Sequence, residues 1–274
     1  MNRHRAGIAV FVVAVWAGLG GASFAATAQP GSAVWFDLLT EDAAVANAFY
    51  AEVFGWEIEV YNPDVWLARH NGEAVAGISQ IRGELPDQTE SRWLVGVLVA
   101  NADSAVATAK RLGAKVHEEV KDVPGIGRYA VIADPQGAVI MLVDLEEEFT
   151  RPTGIDRWVW TELWTDDLAA AGKFYHEVIG YGRSQVEALG GQYNVMTVND
   201  EPTAGLVKIP TESIDPAWAG YIAVEDLDQT MARAREAKGQ VLVEPNPQFM
   251  GGAVALLADP SGAAFFIYQK PDGR

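Results

Sequence analysis

Two carboxylates stand where a protein could do proton chemistry. Asp37 and Glu162 each follow a tryptophan by two residues, in Trp35-Phe36-Asp37 and Trp160-Thr161-Glu162. Strand alternation puts residues i and i+2 on one face, so each carboxylate lies beside an indole. There it loses part of its hydration and its pKa rises, which makes it a candidate general base near neutral pH. The competing role is structural: Asp37 and Glu162 take a hydrogen bond from a neighbouring strand or a buried tyrosine.

Tryptophan is abundant around the same stretches: Trp35, Trp66, Trp93, Trp158, Trp160, Trp164 and Trp218. Flat apolar ligands stack on such walls, with a few polar groups to orient them. Trp93 and Trp218 read as packing, Trp35 and Trp160 as wall. Tyr129 and Tyr193 on strands, and the cations Arg69, Arg128 and Lys208, are weaker candidates, residues whose ordinary role is packing or surface. Gly125-Ile126-Gly127 precedes a strand and lacks a third glycine, so it reads as a hairpin loop and not as a phosphate cradle. The chain shows no Ser-His-Asp order, nucleotide fingerprint or DNA-binding motif.

Composition narrows the classes further. With no cysteine in 274 residues there are no disulfides, thiolate nucleophiles or cysteine-bound metals. A formal net charge of -17 argues against nucleic acid and anionic lipid as partners and favours solubility. Arg3 and Arg5, an apolar run from Ala6 to about Leu19, and Ala26-Thr27-Ala28 form the pattern of a secretory signal cleaved after Ala28. That implies a periplasmic or secreted protein with no stable membrane insertion once cleaved. The alternative is an uncleaved anchor, because Ala6 to Ala26 is about long enough to span a bilayer.

The elements that position the candidates emerge from an internal repeat. Trp35, Thr40, Asp42, Phe49-Tyr50 and Gly55 recur as Trp160, Thr165, Asp167, Phe174-Tyr175 and Gly180. Trp93 returns as Trp218, and Asp134-Pro135-Gln136-Gly137 as Asp259-Pro260-Ser261-Gly262. The chain is therefore a tandem duplication. After a signal at 1–28, the first domain runs over 29–149 and the second over 150–274. In each copy an alternating strand such as Val34 to Thr40 is followed by a helix capped by Thr40 or Asp42, with Val45, Phe49 and Val53 as its buried stripe, and then by short strands. The same plan repeats from Trp93, so each copy holds two βαβββ units, an α+β class with a curled mixed sheet.

This arrangement, with Phe-Tyr near the helix end, Gly-Trp after it and the Asp-Pro-x-Gly turn, resembles the vicinal oxygen chelate superfamily of glyoxalases, bleomycin-resistance proteins and extradiol dioxygenases. It is closest to a two-domain, glyoxalase-like "hydroxylase" branch whose first strands read as Trp35 to Thr40 and Trp160 to Thr165 do. The resemblance implies that paired units curl into cups, with metal ligands on the inward faces of the first and last strands. At those positions this chain carries Trp35 and Trp160, Leu94 and Ala219, and Met141 and Phe266. Imidazoles or carboxylates are needed there for a divalent ion, and His70, His117 and His176 have no matching partners. The expectation is a protein without metal or other cofactor.

Three readings follow. The first is a binding module whose Trp-lined cup takes a small aromatic or carbonyl-containing molecule through Trp35, Trp160, Trp66, Tyr129, Tyr193, Met141 and Phe266. The second is a cofactor-independent lyase or isomerase with Asp37 or Glu162 as base, and the third a metal-dependent glyoxalase or dioxygenase with an unusual ligand set. Four units allow one chain to complete its own cups, so a monomer or a homodimer is expected.

Overall fold

The computed structural model describes residues 27–81, 91–150, 152–188, 191–211, 214–247 and 250–269. Most of the expected signal segment lies outside these residues; Thr27 and Ala28, at its end, already pair with Thr150 and Phe149.

The first half runs β1 (Ala33–Thr40), α1 (Ala43–Phe54), β2 (Glu57–Asn62), β3 (Val65–His70), β4 (Glu73–Gln80), β5 (Arg92–Leu98), α2 (Ala102–Arg111), β6 (Lys115–Val123), β7 (Gly127–Ala133) and β8 (Val139–Leu145). The second half repeats the series as β9 (Arg157–Thr165), α3 (Leu168–Ile179), β10 (Gly182–Ala188), β11 (Gly191–Val198), β12 (Glu201–Lys208), β13 (Ala217–Val224), α4 (Leu227–Glu236), β14 (Gln240–Val243), β15 (Val254–Ala258) and β16 (Ala264–Gln269). Each half folds into one eight-stranded sheet, ordered β2-β3-β4-β1-β5-β8-β7-β6 and β10-β11-β12-β9-β13-β16-β15-β14. The first strands of the paired units, β1 with β5 and β9 with β13, meet antiparallel in the middle.

Local chemistry sets the helix limits. Asp42 caps α1 by accepting from the Val45 amide, and Asp167 caps α3 by accepting from Ala169 and Ala170. Gly55 and Gly180 end these helices in the left-handed conformation, at φ 65° and 96°. One expected core residue is misplaced: Val45 is exposed, and the buried face of α1 is Ala46, Phe49, Tyr50 and Val53. The i, i+4, i+8 pattern marked the correct stripe at its end and missed its start, where alanines do the packing.

The duplicated residues lie between the halves. α1 packs on α4, α2 on α3, and β5 approaches β13, so one continuous core holds Phe36 and Trp93 together with Trp158 and Trp218. Phe36 stacks on Trp158 at 4.1 Å between ring centroids. Two reciprocal relays cross this core. Trp93 Nε1 donates to the Tyr50 hydroxyl, which donates to Asp259 in the other half; Trp218 Nε1 donates to Tyr175, which donates to Asp134. The sheet faces away from this core are left to form the cups.

Candidate functional site

In the first cup, the inward face of β1 presents Trp35 and Asp37. Trp35 pairs with Gly96, which pairs with Met141. Trp35, Leu94, Val131, Met141 and Phe149 pack into one another as a second apolar cluster, with Phe149 coming from the linker between the halves. Asp37 is buried beneath this layer. Its Oδ2 has no hydrogen-bond partner, and neither does Trp35 Nε1. Burial pushes the Asp37 carboxyl up to about 8. The Ser79 hydroxyl opposes that rise only in part and does not reach hydrogen-bond geometry. Gly77 faces the carboxylate because a Cβ there would collide with Asp37 Oδ1.

The second cup keeps the carboxylate and changes its surroundings. Glu162 accepts from the hydroxyls of Tyr193 and Tyr221 and from Trp164 Nε1, the last two at 2.6 and 3.0 Å. Trp160 Nε1 donates in turn to the Tyr193 hydroxyl at 3.1 Å. Burial still raises the Glu162 pKa, but three donors oppose the rise. Tyr221 stacks on Phe266 at 4.5 Å and Trp164 on Phe266 at 5.9 Å. Trp160, Trp164 and Tyr193 remain half-buried, so this aromatic wall is partly open.

Register shows how the copies diverged. At the repeat spacing, Trp164 corresponds to Leu39 and Tyr221 to Gly96. Gly77 pairs with Leu67 and Gly205 with Val195, so two residues earlier Tyr193 corresponds to Val65. All three donors that hold Glu162 are missing around Asp37. Glu162 thus accepts from tyrosines of neighbouring strands, whereas Asp37 Oδ2 has no partner. We expect Glu162→Ala to lose about 2–4 kcal/mol of stability in urea titrations, because it deprives one buried donor, Tyr221, and two half-buried ones, Tyr193 and Trp164, of their acceptor. Glu162→Gln, which keeps one acceptor oxygen, should lose less.

The other expected site residues divide. Tyr129 lies in the first cup, its hydroxyl donating to Glu118 at 3.2 Å. Met141 and Phe266 lie in the first and second cups. Trp66 does not join them: it packs on the inter-sheet core, since Leu67 takes the cup face and alternation turns Trp66 away. Trp93 and Trp218 are buried packing residues. Arg69 pairs with Glu59, and Arg128 with Asp103 and Asp122, on the surface. Sequence reading did not single out Ser79, Tyr221 or Arg157. Tyr221 and Arg157 carried a signal as departures from the repeat, facing Gly96 and Ser32 in the first copy.

Of the six positions where the resemblance implies metal ligands, none carries an imidazole or carboxylate. Trp35, Leu94 and Met141 are packed on one another, and Trp160, Ala219 and Phe266 stand in an apolar cluster. Among the described residues no three His, Asp or Glu side chains gather as an ion would require. These residues do not fit a divalent metal.

Residues 33–143 match the family model of a glyoxalase-like domain, and residues 157–267 that of the glyoxalase/bleomycin resistance protein/dioxygenase superfamily. The chain belongs to this superfamily, as two domains in tandem. It is 32% identical over 253 residues to "Putative glyoxylase CFP32" of Mycobacterium tuberculosis, covering 88% of this chain and 95% of the relative. It is also 32% identical over 262 residues to "Anthracycline biosynthesis protein DnrV" of Streptomyces peucetius, with 89% and 95% covered. Among solved structures it resembles the Mn(II)-bound glyoxalase from Novosphingobium aromaticivorans, with TM-score 0.63, 15% identity and 90% and 84% of the two chains covered. It also resembles a variant of homoprotocatechuate 2,3-dioxygenase from B. fuscum, with TM-score 0.61, 16% identity and coverage of 90% and 73%. At such identities the structural likeness speaks for the fold.

Proposed function

We propose that this is an exported small-molecule-binding protein whose second cup takes a flat aromatic or carbonyl-containing ligand without a metal. The observation that supports this reading is the contrast between the cups. The first is filled by its own side chains, whereas the second leaves Trp160 and Trp164 half-buried over a Phe266–Tyr221 stack. Flat ligands gain most from such a wall. Glu162 fixes the wall, since its three donors are the side chains that build it. The relative from Streptomyces is named for anthracycline biosynthesis, so anthracyclines belong in the ligand panel. The signal-like segment supports export, which amino-terminal sequencing of the secreted protein would test.

Intrinsic fluorescence titration against aromatic, dicarbonyl and glycopeptide ligands tests the binding. Saturable quenching is expected for at least one aromatic ligand, with affinity falling at least tenfold in Trp164→Ala and Trp160→Ala, about 1.4 kcal/mol or more. Equal affinity in both variants would remove the second cup from the account.

A second reading rests on a separate observation. Asp37 is a buried carboxylate with an unpaired oxygen, beside an unpaired indole N–H. Where the packed side chains of this cup part to admit a substrate, the ionised carboxylate can take a proton from carbon next to a carbonyl while the N–H bonds the developing enolate oxygen. On this reading the first domain is a cofactor-independent isomerase or lyase, and Asp37→Asn abolishes turnover.

A further inference from the structure

The second cup sets aromatic rings around one acid. Trp160, Trp164 and Tyr193 are half-buried, and Trp164 and Tyr221 both stack on Phe266. Glu162 is buried among them, with Tyr193, Tyr221 and Trp164 converging on it as donors. A carboxylate accepts from all three, whereas a neutral acid would have a proton of its own to place among them. The donor set therefore fits the ionised form.

The positive charges of this sheet are turned away from that face. Its strands carry Arg157, Arg183 and Lys208 and no other lysine, arginine or histidine. Val207 pairs with Trp164, so Lys208, one residue on, turns to the opposite face and is exposed. Val195 shares the face of Glu162 through Gly205, so Arg183, which pairs with Met196, is also out of phase and lies against Gly172 of α3. Arg157 reaches instead to the His70 carbonyl and to Glu73 in the first half. Among the described residues Glu162 thus has hydrogen-bond donors and no cation beside it.

Aromatic faces attract a cation through the ring quadrupole, indole most strongly, and cages of this kind hold quaternary ammonium groups. A carboxylate behind the rings and a chain charge of -17 act in the same direction. The cage is not packing common to both copies, because Trp164, Tyr193, Tyr221 and Phe266 correspond to Leu39, Val65, Gly96 and Met141.

We propose that the second cup selects an aromatic organic cation, its quaternary or protonated nitrogen held against Trp160 and Trp164 with Glu162 as the counter-charge. This rests on the reading of the second cup as the binding site and adds the charge of its ligand.

Three probes of closely similar shape test it by isothermal titration calorimetry at pH 7: the cation (para-hydroxyphenyl)trimethylammonium, the neutral para-tert-butylphenol and the anion para-tert-butylbenzoate. The Trp160 and Trp164 indole signals are followed in 1H–15N spectra. The cation is expected to shift both signals and to bind about tenfold or more tightly than the phenol, with the benzoate weakest. The preference should persist in about 0.5 M sodium chloride, where screening removes most of the pull that an acidic chain exerts on any cation. Glu162→Gln should weaken the cation severalfold and leave the phenol within about twofold, since the amide keeps an acceptor oxygen and loses the charge. Trp164→Leu, which keeps apolar bulk without a ring, should weaken the cation more than the phenol. If the phenol binds as tightly as the cation while both indole signals move, the proposal is overturned and the second cup remains a binding site for flat neutral ligands. A preference that vanishes at high salt, or a Glu162→Gln variant that weakens both ligands alike, overturns it as well. If no probe moves Trp160 or Trp164, the proposal and the reading of the second cup fall together.

Discussion

Asp37→Asn is expected to make the protein more stable at pH 8 and to lose that advantage as the pH falls towards 4. The folded-state carboxyl lies at about 8 against 3.8 for the free side chain. Its pKa is raised, so between these values the folded state holds a proton that the unfolded state has released. Stability therefore falls as pH rises through this window and levels off above about 8. The difference corresponds to roughly 4 kcal/mol at pH 7 and about 6 kcal/mol above pH 8. Asparagine removes the titration but buries an amide without partners, worth about 1–3 kcal/mol in the other direction. The net expected gain is about 2–4 kcal/mol at pH 8, and near zero or a loss at pH 4. Paired urea titrations at pH 4.5, 7 and 8.5 measure it, and the difference between variant and parent cancels the contributions of Glu162, Asp134 and Asp259. A variant destabilised equally at every pH would mean that Asp37 is an ionised, partnered carboxylate.

The second large effect is expected far from either cup. Asp259 accepts from the Tyr50 hydroxyl at 3.1 Å, from the Ser261 and Ala263 amides at 2.8 and 3.0 Å, and from the Ser261 hydroxyl at 2.8 Å. Alanine there strands all of them and removes the acceptor that orders Tyr50 beneath Trp93. The expected loss is about 3–5 kcal/mol, on the order of 10 °C in melting temperature. Because Tyr50 and Trp93 belong to the other half, Asp259→Ala should lower one cooperative transition of the whole chain. Asp134→Ala should do the same through Tyr175 and Trp218. Two resolved transitions, with only the second half affected by Asp259→Ala, would show that the halves fold independently.

How much of this was legible in the sequence follows from what repeats and what diverges. The tandem plan, the helix ends at Gly55 and Gly180, and the packing role of Trp93 and Trp218 could be read, because local backbone chemistry and a duplicated register fix them, while the first cap was narrowed to Thr40 or Asp42, of which Asp42 takes it. The reciprocal relays could not: the repeat showed Tyr50, Trp93 and Asp134 once in each copy, but a partner in the other copy is invisible to spacing. The opposite fates of Asp37 and Glu162 were hidden for a related reason. Their neighbours on β1 and β9 look alike apart from Leu39 in place of Trp164, and the rest of the difference comes from Tyr193 and Tyr221 on adjacent strands, facing Val65 and Gly96 in the first copy. Trp66 was misread because abundance of tryptophan says nothing about which face of a strand each one takes.

The most direct test of the central claim, that the second cup is the binding site, is a 1H–15N spectrum of the indole N–H signals during titration with the tightest aromatic ligand of the panel. The account predicts that Trp160 and Trp164 shift in a saturable manner while the relay tryptophans Trp93 and Trp218 stay in place. Saturable binding that leaves Trp160 and Trp164 unmoved would contradict it.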